Sequence, residues 1–129
     1  MPRTVGGHVP GPTLAAAPRA GWNDPAVGNL VRWDDSGDHA VAECASDDVP
    51  IGRVIAINPA RSVLTIELFA GGMVAVLPYS GSPARGDRIE ADGTADAGGS
   101  GRVRSDNVNG IGRVIAIDRV PGHVDVYFG

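Results

Sequence analysis

The seven residues Ile51-Gly52-Arg53-Val54-Ile55-Ala56-Ile57 recur unchanged as Ile111-Gly112-Arg113-Val114-Ile115-Ala116-Ile117, 60 residues later. The agreement continues without a gap, because Leu64, Ile66 and Leu68 fall at the same offset as Val124, Val126 and Phe128. A chain with this period is built of two related halves, and its fold must be one that can be laid down twice. Each copy is filled by Val, Ile and Ala, is too short for a free-standing helix, and is punctuated by Asn58-Pro59 or by Asp118-Arg119-Val120-Pro121-Gly122. The pattern predicts a strand. Ile55 and Ile57 are expected on one face and Gly52, Val54 and Ala56 on the other, as in a strand covered on both sides with close backbone approach on the small face. Arg53 and Arg113 stand at the start, where a charge reaches water. The following run alternates: Leu64, Ile66, Leu68 and Val124, Val126, Phe128 are expected inward, Thr65, Glu67 and His123, Asp125, Tyr127 outward. The units 51–68 and 111–128 thus read as hairpins with a loop of about five residues.

A length of 129 residues argues for one domain with a core, not for two. Glycine (19) and proline (10) separate short apolar runs, which favours an all-β small barrel or sandwich of two related halves. Leu30 to Trp33 and His39 to Cys44 flank the polar cluster Asp34 to Asp38 as a first hairpin, and Gly86 to Gly93 matches the start of that hairpin in outline. Met73 to Leu77 makes a further strand closed by Pro78, and Gly98-Gly99-Ser100-Gly101 a loop before Arg102-Val103-Arg104, giving about eight or nine strands in all. The β domain spans 26–129.

Residues 1–25 differ. Repeated Pro and Gly without a sustained period predict an extended arm. Arg3 and Arg19 against Asp24 leave it at +1, and the body at −5 of the total −4. That acidic balance, with no basic cluster interleaved with aromatics, argues against a nucleic-acid surface. All 11 basic residues are arginine, which removes lysine as base, Schiff-base former or phosphate clamp. Cys44 is the single cysteine, so no intramolecular disulfide forms. There is no signal-like segment and no run of transmembrane length, so a soluble protein without a membrane partner is expected.

Chemistry-bearing constellations are scarce. Asp34, Asp35 and Asp38 fail the calcium-loop spacing, since Gly37 is fourth and Ala45 twelfth, and read as a hairpin turn. Asp47-Asp48 reads as a loop. His8, His39, His123 and Cys44 lack a zinc spacing, and no metal or other cofactor is expected. Cys44 reads as a small core residue. Arg85-Gly86-Asp87 reads as a turn, and Gly98 to Gly101 precedes no helix that would make it a phosphate cradle. No nucleophile, base and orienter are visible, so no enzymatic activity is expected. Trp33 is expected in the core. Trp22 lies outside any expected strand and is suited to docking the arm on its own body or on a neighbour.

The Pro/Gly-rich arm, Gly28 to Trp33, Val49 to Ala56, Gly72 to Tyr79, Ala84 to Ile89, and Gly110 to Ala116 with Val124 to Phe128 together form a rhythm of strands and glycines over residues 28 to 129. That rhythm resembles the head decoration, or capsid cement, proteins of tailed bacteriophages. The resemblance implies a non-enzymatic protein made in the host cytoplasm that joins the outer surface of the virion, bridges major capsid protein subunits and forms a homotrimer. On that reading the partner-binding residues are Pro10, Pro12, Leu14, Arg19 and Trp22 of the arm, with Arg53 and Arg113. The alternative is a carbohydrate-binding β-barrel module, for which Trp22, Trp33, Tyr79 and Tyr127 are the available aromatic platforms.

Overall fold

Both copies of the repeat fold into the same hairpin; the rest of the chain closes a barrel around the first, and around the second it forms two small sheets joined by single bridges, a barrel-like unit called the second barrel below. The structure, a computed structural model, describes residues 7–45, 48–92 and 101–129. Residues Met1 to Gly6, Asp47, Gly93 and Gly98 to Ser100, to which parts of the expected arm, turn and loops were assigned, lie outside the described residues. Ten strands and no helix are found among the described residues: β1 Thr13–Pro18, β2 Leu30–Trp33, β3 Ala40–Glu43, β4 Gly52–Ile57, β5 Leu64–Leu68, β6 Met73–Pro78, β7 Ile89–Ala91, β8 Val103–Ser105, β9 Arg113–Asp118 and β10 His123–Phe128.

The hairpins β4–β5 and β9–β10 share one register. Arg53 faces Glu67 as Arg113 faces Tyr127, Val54 faces Ile66 as Val114 faces Val126, and Ala56 faces Thr65 as Ala116 faces Asp125. Ile55 and Ile115 are therefore the extra residues of a β-bulge, which turns both outward, 38% and 45% exposed. The expected face shared by Ile55 and Ile57 is corrected accordingly. Val54 and Val114 enter the core, and Ala56 lies on an exposed stretch rather than under a second layer. Close approach at Gly52 is real, for a Cβ there would sit 2.4 Å from the Glu67 carbonyl oxygen.

Around the first hairpin the strands close a barrel in the order β1-β3-β2-β4-β5, with β1 antiparallel to β5 and parallel to β3. The second half follows the same circuit. Strand β6 pairs β10, β10 pairs β9, and β7 pairs β8, while single bridges Tyr79–Val103 (parallel) and Ile89–Ile111 join the two sheets. The entry turns repeat as well, at an offset of 58: Pro25-Ala26-Val27-Gly28-Asn29 and Pro83-Ala84-Arg85-Gly86-Asp87. In each, the glycine takes a left-handed φ (97° and 94°), and the Ala N–H donates to the Asn29 or Asp87 side chain at 2.7 and 2.9 Å. Gly28 N and Gly86 N then bond Val54 O and Val114 O at 2.8 and 2.7 Å.

Two expectations give way here. Residues 13–18 are not part of an extended arm. They are β1, and their pairing with β5 closes the first barrel, with Ala16 in its core. Nor is there a single core. Ala16, Val31, Val41, Val54, Leu64 and Ile66 fill the first barrel, whereas Met73, Leu77, Ile89, Val103, Val114, Val124 and Val126 fill the second, joined by Leu30 and Cys44 from the first half. Strand β2 thus serves both cores, Leu30 facing one and Val31 the other. Phe69, directly after β5, stacks on Phe128 with ring centroids 4.5 Å apart.

Candidate functional site

The seam between the barrels gathers three of the seven sequence-nominated residues, Pro10, Pro12 and Arg53. Residues 7–12 cross it as a strap. Gly7 N donates to Asp125 Oδ2 at 3.2 Å, Val9 pairs with Val74 of β6, and Pro12 O accepts from Leu68 N at 2.8 Å. Exposed Pro10 lies between these anchors. The strap explains two corrections. Glu67 and Asp125 were expected outward, yet they are 3% and 0% exposed, because the strap and the neighbouring barrel cover the outer faces of β5 and β10.

Beneath the strap, Arg53 and Glu67 form an ion pair. Arg53 Nη2 and Nε lie 3.1 and 3.2 Å from Glu67 Oε1, and Arg53 Nη1 donates to Val76 O of the second barrel at 3.2 Å. The other carboxylate oxygen meets His8 Nε2 at 3.0 Å and accepts from Gly11 N at 3.3 Å. Burial by itself would push the Glu67 carboxyl up, but the His8 hydrogen bond and charge, Arg53 and the Gly11 N–H together hold it below the usual carboxylate range. Arg53 is therefore a cross-barrel brace with its donors engaged.

Arg113 is the same residue in another setting. It is exposed, faces Tyr127 instead of a carboxylate, and makes no ion pair or side-chain hydrogen bond among the described residues. Gly112, Arg113, Tyr127 and Gly129 line an open hollow of about 260 Å³. Leu14 and Arg19 belong to the first barrel and its margin. Leu14 is half-buried in β1, and Arg19 is ion-paired with Glu43.

Trp22 takes one of its two expected places, and Trp33 departs from its own. Trp22 packs on the first core, which docks residues 19–25 on their own body. Trp33, expected in the core, is 51% exposed at the end of β2. Leu30 and Val31 have already taken both faces of that short strand, and Trp33 projects beyond it. On one side it borders an apolar groove of about 410 Å³ along the seam, with Ile51, Leu68, Phe69 and Ile111. On the other it meets Arg32, Asp34 and Asp35 around an open hollow of about 390 Å³. The polar neighbours Arg32 and Asp34-Asp35 were the sequence signal for this position.

Cys44 is buried, as expected of a core residue, and burial, reinforced by Asp48, pushes its thiol up to about 12. The Asp87 carboxyl of the Arg-Gly-Asp triplet is held in its turn by Asn107, Ala84 and Ser105, which place it below the usual range. Among the described residues no cluster of three or more His, Cys, Asp or Glu is arranged to hold a metal ion, and no helix is long and apolar enough to cross a membrane. Comparison of the chain with protein-family models, with curated proteins and with solved structures finds no match.

Proposed function

We propose that this chain is a non-enzymatic decoration protein that binds the outer surface of a phage head and stabilises it by bridging major capsid protein subunits. The observation that carries the reading is Trp33 at the lip of the seam groove. A half-exposed tryptophan beside an open apolar surface, on a body braced across both barrels, suits docking against a large protein face. A rigid body also loses little conformational entropy on docking. Because residues 7–18 are tied into the barrels, the bridging surface is assigned to the body and the seam rather than to a free arm.

The test is sedimentation with expanded, undecorated phage heads, comparing the unmodified protein with Trp33→Ala. Saturation at a fixed stoichiometry, with affinity reduced about tenfold or more by Trp33→Ala, is the expected result. A protein that leaves such heads unbound at micromolar concentration would end this reading.

A second reading is favoured by the other side of the same residue. Trp33 with Arg32, Asp34 and Asp35 offers an aromatic face for a sugar ring and carboxylates to accept its hydroxyls. A specific hit on a glycan array that Trp33→Ala abolished, without any binding to heads, would replace the capsid assignment with a carbohydrate-binding one.

A further inference from the structure

The two barrels are held together by a contact for which each also carries an unused half. In the second barrel, β8 reaches the β6 region only at Tyr79, which leaves the outer edge of β6 at Val74 and Val76 to other partners. Val9 bonds Val74 in both directions, at 2.8 and 3.1 Å, and the Arg53 guanidinium donates to Val76 O at 3.2 Å. The first barrel has the equivalent edge. Strand β3 reaches β1 only at Ala17 and Pro18. Because Leu68 N bonds Pro12 O, Leu14 and Ala16 turn their backbone groups to β5, and Thr13 and Ala15 turn theirs away. On that outer side Thr13 and Ala15, both exposed, have no strand partner among the described residues. The second barrel, in turn, has the equivalent arginine. Arg113 occupies the place of Arg53 in an identical hairpin register, yet it is exposed and has no ion pair or side-chain hydrogen bond among the described residues.

We propose that chains associate head to tail, with Arg113 of one copy seated on the open edge of β1 at Ala15 of a second copy. The contact between molecules would repeat the one that Arg53 makes with Val76 within a molecule. An unpaired strand edge is a ready template for another chain, and the guanidinium fits a carbonyl acceptor without needing a carboxylate. The occupant is a second copy because, within one chain, the equivalent arginine already sits on the equivalent strand edge. The two faces are different, so the contact is heterologous, and it forms a ring where the rotation closes and an open chain where it does not. This assignment does not rest on the capsid reading.

The test uses two single substitutions in the full chain, Ala15→Cys and Tyr127→Cys, and a short bismaleimide. Native Cys44 is buried and does not compete. A covalent dimer is expected when the two variants are mixed, with at least tenfold less in either alone, and its yield should fall severalfold when Arg113→Ala is added to the Tyr127→Cys copy. Light scattering of the unmodified chain should show a mass above 13.2 kDa that rises with concentration. A monomer mass at every concentration with no mixed adduct would overturn the proposal. So would equal adducts in each variant alone, which mean a symmetric contact, or a mixed adduct indifferent to Arg113→Ala.

Discussion

Arg53 and Arg113 occupy one place in the repeat, so replacing each by alanine removes the same atoms from two different surroundings. At Arg53 the loss takes two donors from Glu67 Oε1 and one from Val76 O. Deleting one partner of a buried ion pair costs about 3–5 kcal/mol, because the remaining charge is left without compensation. Two features lower that figure here. Glu67 keeps His8 and Gly11 N on its other oxygen, and the Arg53 side chain is 21% exposed, so water can partly replace it. The expected cost is therefore about 2–3 kcal/mol, or a fall in Tm of roughly 6–18 °C for a chain of this length. Arg113→Ala breaks no such bond among the described residues and should stay within about 0.5 kcal/mol. Urea and thermal unfolding at low protein concentration, where association between copies does not contribute, give both numbers. Adding Glu67→Gln to Arg53→Ala should recover part of the loss, since a neutral amide needs no counter-charge. Equal shifts for the two arginines, or a loss below about 1 kcal/mol at Arg53, would refute the brace.

Acid should act through the same pair. Glu67 is held below its ordinary value of 4.5, so the folded chain binds fewer protons than the unfolded one, and the stabilisation present above that pH drains as pH falls through the folded value. The urea midpoint should drop between pH 5 and pH 3, and Glu67→Gln should flatten that drop. Gly52→Ala would place a Cβ 2.4 Å from Glu67 O and 2.8 Å from Ile66 Cγ2, and at least 1–3 kcal/mol of destabilisation is expected, roughly the cost of overpacking, whereas Gly37→Ala meets nothing within 4 Å and should be near neutral in the same melts. Deleting residues 1–25 removes β1 and should abolish the cooperative melt; a truncated chain that still unfolds in a sharp transition would show that β1 does not close the barrel.

The repeated heptad made the two hairpins legible in sequence, and the punctuation by glycine and proline made the all-β class legible. What stayed hidden depended on neighbours rather than on pattern. The bulge at Ile55 and Ile115 adds one residue to a strand, and no two-residue alternation can announce it. Glu67 and Asp125 obey the alternation, yet they are buried because a strap from residues 7–12 crosses outside them. Strand β1 was concealed by composition, since Thr13 to Pro18 is half alanine and lies among prolines that read as irregular chain. Trp33 was misplaced for a different reason. Sequence gives a tryptophan a core preference, but strand β2 had already spent both faces on Leu30 and Val31. The arginines of the candidate site were visible only as a repeated letter, and their divergence in role is a property of position in the tandem.

The sharing of β2 between cores bears on what counts as the unit of folding. A 60-residue barrel buries too small a fraction of its surface to be more than marginal alone. Here the second core takes Leu30 and Cys44 from the first barrel, and β2 cannot leave one core without vacating the other. The halves are thus two by sequence and topology but one by thermodynamics. Damage to either hairpin is felt across the entire chain, and a half isolated at the repeat boundary would lack side chains that complete its interior.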